Sequence, residues 1–417
     1  MLASLAVILC GLLPITLFVS HWLPSAVFYA LIVICLALLT RKRFTKAIEQ
    51  TIRYRWLIIS YAVLFLVVVL SSWYHEEWAG ANAEGALRFL LGLWILLAAL
   101  AHIQAGKLRL AIFGIYAGGI ASAITLSWLI LISTYRPSTP NLIIVTFTSL
   151  MLLLGVITLY SLKWQLTNAG RVEYALKILV TIGIFSVFVA AQTRTGLLGL
   201  PLFLFLAIAL FTQFEKPIKA ISLLVVSTAV IVIAIGSSSD MRHRIAQGIN
   251  EITACQGESS IKTSSMCIRL QLWRTAIDAG IHHPFMGLGD AGKFNSYLRE
   301  IAVPRGWTSQ YVADNFGEPH NDLLSVFVGF GVPGVGALLL IYLAPCFYFW
   351  PRLFSRRTPS HAKAAAAMGL AVCLGFFFFG LTETMFRRMN TIGFYTVMVA
   401  WLMVISEQSD EASVAPT

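Results

Sequence analysis

Apolar runs of roughly 18 residues or more recur along this chain, each long enough to cross the ~30 Å hydrocarbon layer of a bilayer as a helix. With 58% hydrophobic and 12% charged residues among 417, and a mean hydropathy of +0.80, the composition excludes a soluble globular protein. The runs predict spans near 2–20, 23–40, 56–73, 86–102, 109–132, 141–162, 173–191, 196–212, 218–236, 321–350, 364–382 and 389–406. The expected fold is therefore an all-α polytopic membrane protein of about twelve transmembrane helices. Nine spans fill 1–236, one large and partly helical loop fills 237–320, three more spans fill 321–406, and 407–417 is a polar tail.

Charge sets the expected orientation. The connector after the second span carries Arg41, Lys42, Arg43, Lys46, Arg53 and Arg55, and basic residues then recur in every second connector, while the opposite short loops hold only Arg136, Arg194, Arg387 and Arg388. The positive-inside rule makes the basic side cytoplasmic and puts the large loop outside. The net charge of +11 then reads as topology and attraction to anionic membrane lipids, not as nucleic-acid binding. Met1 to Ser20 has no basic leading region and is followed almost at once by a second apolar run, which favours a retained hairpin over a cleaved signal peptide.

Four of the six cysteines, Cys10, Cys35, Cys346 and Cys373, lie in apolar spans, where a thiol acts as a small hydrophobe. Cys255 and Cys267 form the one pair in a polar loop. A disulfide there would close a short loop and contribute ~3 kcal/mol at most; two free thiols are the alternative. Further along the loop, Ser264 to His282 has helical periodicity, with Ile268, Leu272, Ala276 and Ile277 as the expected apolar face. His283 and Pro284 end it, and a glycine-rich turn follows.

Candidate chemistry converges on the outer side. Arg194 lies between two spans with almost no connector, where a charge needs a partner, and a phosphate would suit its planar fork. Snorkelling to the interface is the other reading. Arg269 and Arg274 flank Trp273 on the loop helix, and either a solvated face or an anion contact fits them. Arg88, inside the fourth span, has the same two readings, with snorkelling the simpler. His320 stands just before a long apolar run and after Pro319, so a position in the first helical turn is expected. The helix dipole there favours the neutral ring, available as a base, with Glu318 or Asp322 orienting it. A capping histidine is the plainer alternative. Gly287 to Gly292 fits GxGxxG, but no strand–helix–strand unit surrounds it. His282 and His283 have no spaced partner ligands. Gly329 to Gly336 with Pro333 suits close packing or a kink.

Taken together, Gln192 to Gly196, Ile268-Arg269 through Trp273, Ala276 to Pro284, Gly287, Gly289, Phe294, and Pro319-His320-Asn321-Asp322-Leu323-Leu324 followed by Gly329 to Gly336 resemble the O-antigen ligase (WaaL) family. That family sits within the wider Wzy-type polymerase and ligase superfamily, and the order of nine spans, a large loop and three spans resembles it too. The resemblance implies a glycosyltransferase in the inner membrane of a bacterium. It would move a glycan from undecaprenyl diphosphate to lipid A-core on the periplasmic face, without metal or other cofactor. It also implies His320 as base and Arg194 and Arg269 as holders of the lipid diphosphate. Arg88, Glu318, Asn321 and Asp322 are added only by the local reading given above. An O-antigen polymerase, a protein O-oligosaccharyltransferase and a lipid flippase are the competing expectations.

Overall fold

The computed structural model describes residues 1–39, 51–133, 141–191, 195–212 and 264–408, with isolated positions between them. Every element among the described residues is helical, and the chain is an all-α multi-pass membrane protein. The principal helices are α1 Leu2–Val19, α2 Leu23–Leu38, α3 Arg55–Tyr74, α4 Gly80–Leu100, α5 Ile112–Ile132, α6 Ile144–Tyr160, α7 Gly170–Ala190, α8 Leu200–Thr212, α9 Ser265–His282, α10 Asp322–Phe354, α11 Ser360–Gly380 and α12 Met389–Glu407. All but α9 coincide with an expected span. The ninth expected span, 218–236, lies outside the described residues, as do Arg194 and the tail beyond 408.

Lipid tails are as apolar as leucine, so these helices associate through close packing and not through escape from water. The residues comply. Helix α11 enters the bundle on Ala364, Ala365, Ala366 and Ala367, all fully buried, and this small-residue stretch lets it pack between α10, α6 and α12. Helices α6 and α12 are buried along most of their length. At the end opposite the large loop, Glu407 accepts hydrogen bonds from Tyr54 and Arg352, tying α12 to α3 and α10.

Helix α10 takes in 33 residues but is not one straight rod: Tyr342 Oη donates to Asp322 at 2.6 Å, where twenty residues of straight helix would hold them roughly 30 Å apart, so its first arm folds back on the second. It is broken at Gly331, whose φ of 65° and ψ of −158° are not helical. Pro333 supplies the reason: its ring cannot coexist with a regular turn beneath it. The backbone groups freed at the break are taken by the glycine-rich turn after α9. Leu288 N donates to Val328 O at 2.8 Å, Gly289 N to Gly329 O at 3.0 Å, and Val332 N to Pro284 O at 2.7 Å. Gly287, at φ 59°, sits so close that a Cβ there would lie 2.3 Å from the Gly329 carbonyl carbon. The GxGxxG-like stretch is thus a backbone clasp on the kink.

The large loop builds its own small core. Ser264 caps α9 by accepting from Cys267 N, and Ile268, Leu272, Ala276 and Ala279 pack on Phe294, Leu298, Ala302, Val312 and Val328. The expected apolar face is therefore right at three positions and wrong at Ile277, which is exposed; the inward stripe continues through Ala279 instead. Cys255 and Cys267 are joined as a disulfide, with their Cα atoms 5.5 Å apart.

Candidate active site

Helix α10 begins at Asp322, with Asn321 as its N-cap: the Asn321 side chain accepts from Leu324 N at 3.0 Å. His320 therefore precedes the helix and is not in its first turn, and its φ of 50° is left-handed. A non-glycine residue in that region carries strain that its surroundings must hold. Three elements hold it. Trp273 Nε1 on α9 donates to Pro319 O at 3.0 Å. Asn321 Nδ2 donates to Leu381 O at 2.8 Å, joining the start of α10 to the turn after α11. Phe316 meets the imidazole edge to face, with ring centroids 5.9 Å apart.

That turn delivers the residue the sequence reading missed. Glu383 Oε1 lies 3.0 Å from His320 Nδ1, and the carboxylate is only 2% exposed; Thr384 N donates to the same oxygen at 3.2 Å. Burial raises the Glu383 pKa, but the hydrogen bond and charge of His320, with the charge of Arg269, outweigh it and leave the group below the ordinary carboxylate value. An ionised carboxylate can only accept, so Nδ1 carries the hydrogen, and in the neutral form of the ring Nε2 is then the nitrogen with the lone pair. A carboxylate so placed selects one tautomer of the neutral imidazole, the geometry also found in nucleophile-activating triads.

Glu318 stands second in line, with Oε1 at 3.8 Å from Nδ1. Its other oxygen pairs with Arg387 at 3.4 Å, and Arg387 also donates to Gly317 O at 2.9 Å. Asp322 does not orient the histidine. Its buried carboxylate accepts from Tyr342 Oη at 2.6 Å and from Phe386 N at 3.0 Å, so it fixes the turn that carries Glu383. Among the described residues, Glu318, His320 and Glu383 are the one His/carboxylate group with ligand atoms within 4.8 Å of one another.

Of the other expected residues, Arg269 stands on α9 one turn before Trp273, the residue that donates to Pro319 O, and its charge is a minor contributor to the lowered Glu383 pKa. Arg88 is drawn elsewhere. Its guanidinium donates to Glu84 at 2.8 Å, Ser25 Oγ at 3.1 Å and Met389 O at 3.0 Å, and lies 4.7 Å from the centroid of the Tyr29 ring. Arg194 lies outside the described residues, but the turn that follows it, Thr195–Gly199, packs where Gly199 meets the Phe379 ring, two residues before Leu381. Glu383 left a faint trace in the sequence: it is the one acidic residue in the outer turn between the last two spans. Nothing in its spacing pairs it with His320, 63 positions earlier.

Residues 178–339, from α7 through His320 to beyond the α10 break, match the family model described as O-antigen ligase. An uncharacterised protein of Haemophilus influenzae is 23% identical over 214 residues, which cover 50% of this chain and 52% of that protein. The chain thus spans about half the length of that relative, whose name assigns no activity.

Proposed function

We propose, for a chain whose residues 178–339 match the O-antigen ligase family, that it transfers a glycan from undecaprenyl diphosphate to a sugar hydroxyl of lipid A-core. The reaction would take place at the periplasmic face of a bacterial inner membrane. The observation that carries this reading is the His320–Glu383 pair at 3.0 Å, with the charge of Arg269 beside it.

A glycosyl diphosphate already has a good leaving group. The protein must neutralise that group's charge and raise the nucleophilicity of one hydroxyl, and positioned cations with a general base suffice. His320 Nε2 takes the proton as the acceptor oxygen forms its bond to the anomeric carbon. The bond from that carbon to the diphosphate oxygen breaks, its electron pair leaves with undecaprenyl diphosphate, and the single displacement inverts the anomeric centre. Arg269 and Arg194 hold the diphosphate in this scheme. Glu318, paired with Arg387, adds a second carboxylate on the Nδ1 side of the imidazole.

Incubating the purified protein with undecaprenyl-diphosphate glycan and lipid A-core, and resolving products by size, tests the acceptor. Glycan on lipid A-core supports the ligase reading. Lengthened lipid-linked glycan replaces it with a polymerase, and no transfer to any lipid acceptor removes both.

A further inference from the structure

Helix α9 is apolar on two opposite faces, and only one of them is used by the loop core. Ile268, Leu272, Ala276 and Ala279 face inward and are buried. Half a turn away, Leu270, Ile277 and Ile281 share a second stripe and are exposed by 36%, 45% and 63%. Phe285, just past the helix end, is exposed by 72%. The charged residue on this stripe, Arg274, folds back over the Trp307 ring, 5.4 Å from its centroid.

Depth identifies what covers this stripe. Pro284 O accepts from Val332 N at the break where the two arms of α10 fold back on each other, so the C-terminal end of α9 lies at the tip of that helical hairpin. The same turn is bonded to the outer end of α3: Ser71 Oγ donates to Met286 O at 2.7 Å, and His75 Nε2 lies 3.1 Å from Gly287 O. Trp73, Tyr74 and Trp78, all exposed, occupy that end of α3 and the turn after it. Amphipathic aromatic rings at the end of a spanning helix mark the membrane–water interface. Phe285 adjoins Met286, which is bonded to that end of α3, and Ile281 and Ile277 lead back from it along α9.

We infer that the C-terminal half of α9 and the turn through Phe285 rest in the lipid interface on the His320 side, as a monotopic element attached to a spanning bundle. A helix with an exposed apolar stripe at interfacial depth binds a lipid surface in this way. The consequence reaches the candidate site, because the same helix carries Trp273 onto Pro319 and Arg269 toward Glu383. Lipid contact on one face of α9 thereby steadies the groups on the other. The inference does not depend on which glycan acceptor is used.

The test places bimane on Ile281→Cys and, as a second site, on Phe285→Cys, with Gln310→Cys on the outer loop as the aqueous control. Each protein is reconstituted in nanodiscs of phosphatidylethanolamine and phosphatidylglycerol. Lipids doxyl-labelled near the head group are expected to quench the first two labels by about twofold, and iodide to quench only the control. Iodide quenching of all three sites without lipid quenching overturns the inference. Shielding from iodide without lipid quenching also overturns it, since a second protein would then cover the stripe.

Discussion

Glu383 is the residue on which the candidate site depends, and its environment makes it testable apart from catalysis. Its folded pKa lies below the ordinary carboxylate value, so the stability it contributes is present above that ordinary value of about 4.3 and is lost as pH falls through the folded one. Thermal unfolding in detergent is expected to show wild type losing more stability than Glu383→Gln as the pH is taken downward from about 4.3, with no difference in loss between neutral pH and that point; equal losses below it would contradict the pairing. Arg269→Lys keeps the charge and loses the planar fork. The expected result is a rise of about tenfold in KM for the lipid donor, corresponding to about 1.4 kcal/mol, with unfolding temperature unchanged. An unchanged KM would remove Arg269 from the donor site.

At the scale of elements, the break in α10 decides where His320 stands relative to α9. Gly331 has φ 65°, and a Cβ there would lie 2.3 Å from Pro284 O, whereas nothing lies within 4 Å of one at Gly336. Gly331→Ala is therefore expected to destabilise by about 2 kcal/mol or more, through left-handed strain and loss of the clasp. Gly336→Ala is expected to stabilise slightly, by about 0.5–1 kcal/mol, as a helix-interior substitution into open space. The ordering of the two unfolding temperatures checks the account, and a reversed order contradicts it. The elements themselves were legible in the sequence because hydrocarbon leaves a span little freedom: eleven of the expected spans coincide with helices. Register within the loop was less legible. Periodicity found α9 but assigned Ile277 inward, because two opposite stripes fit one helix equally well until its neighbours are known. His320 was found from its place beside a span, while its position before the cap, with φ 50°, depends on contacts from Trp273 and the 381–388 turn.

Across the whole molecule, three segments distant in sequence meet on one side of the bundle: α9 with Arg269, the 316–322 approach with His320, and the turn after α11 with Glu383. Such long-range pairing is what a single sequence conceals, and Glu383 went unseen for that reason while the arginine and histidine did not. The assembly predicts a direct displacement, so the transferred glycan is expected to carry the anomeric configuration opposite to its donor, as read by NMR of the product. Retention would contradict a single in-line displacement. The most direct measurement is turnover of lipid A-core glycosylation by wild type, His320→Ala and Glu383→Gln at saturating donor. The account predicts loss of transfer in the first variant. In the second it predicts a fall in kcat of about 10²-fold or more with KM for the donor nearly unchanged, as a misoriented general base would give. Full kcat in Glu383→Gln would contradict the claim that this carboxylate holds the histidine as the catalytic base.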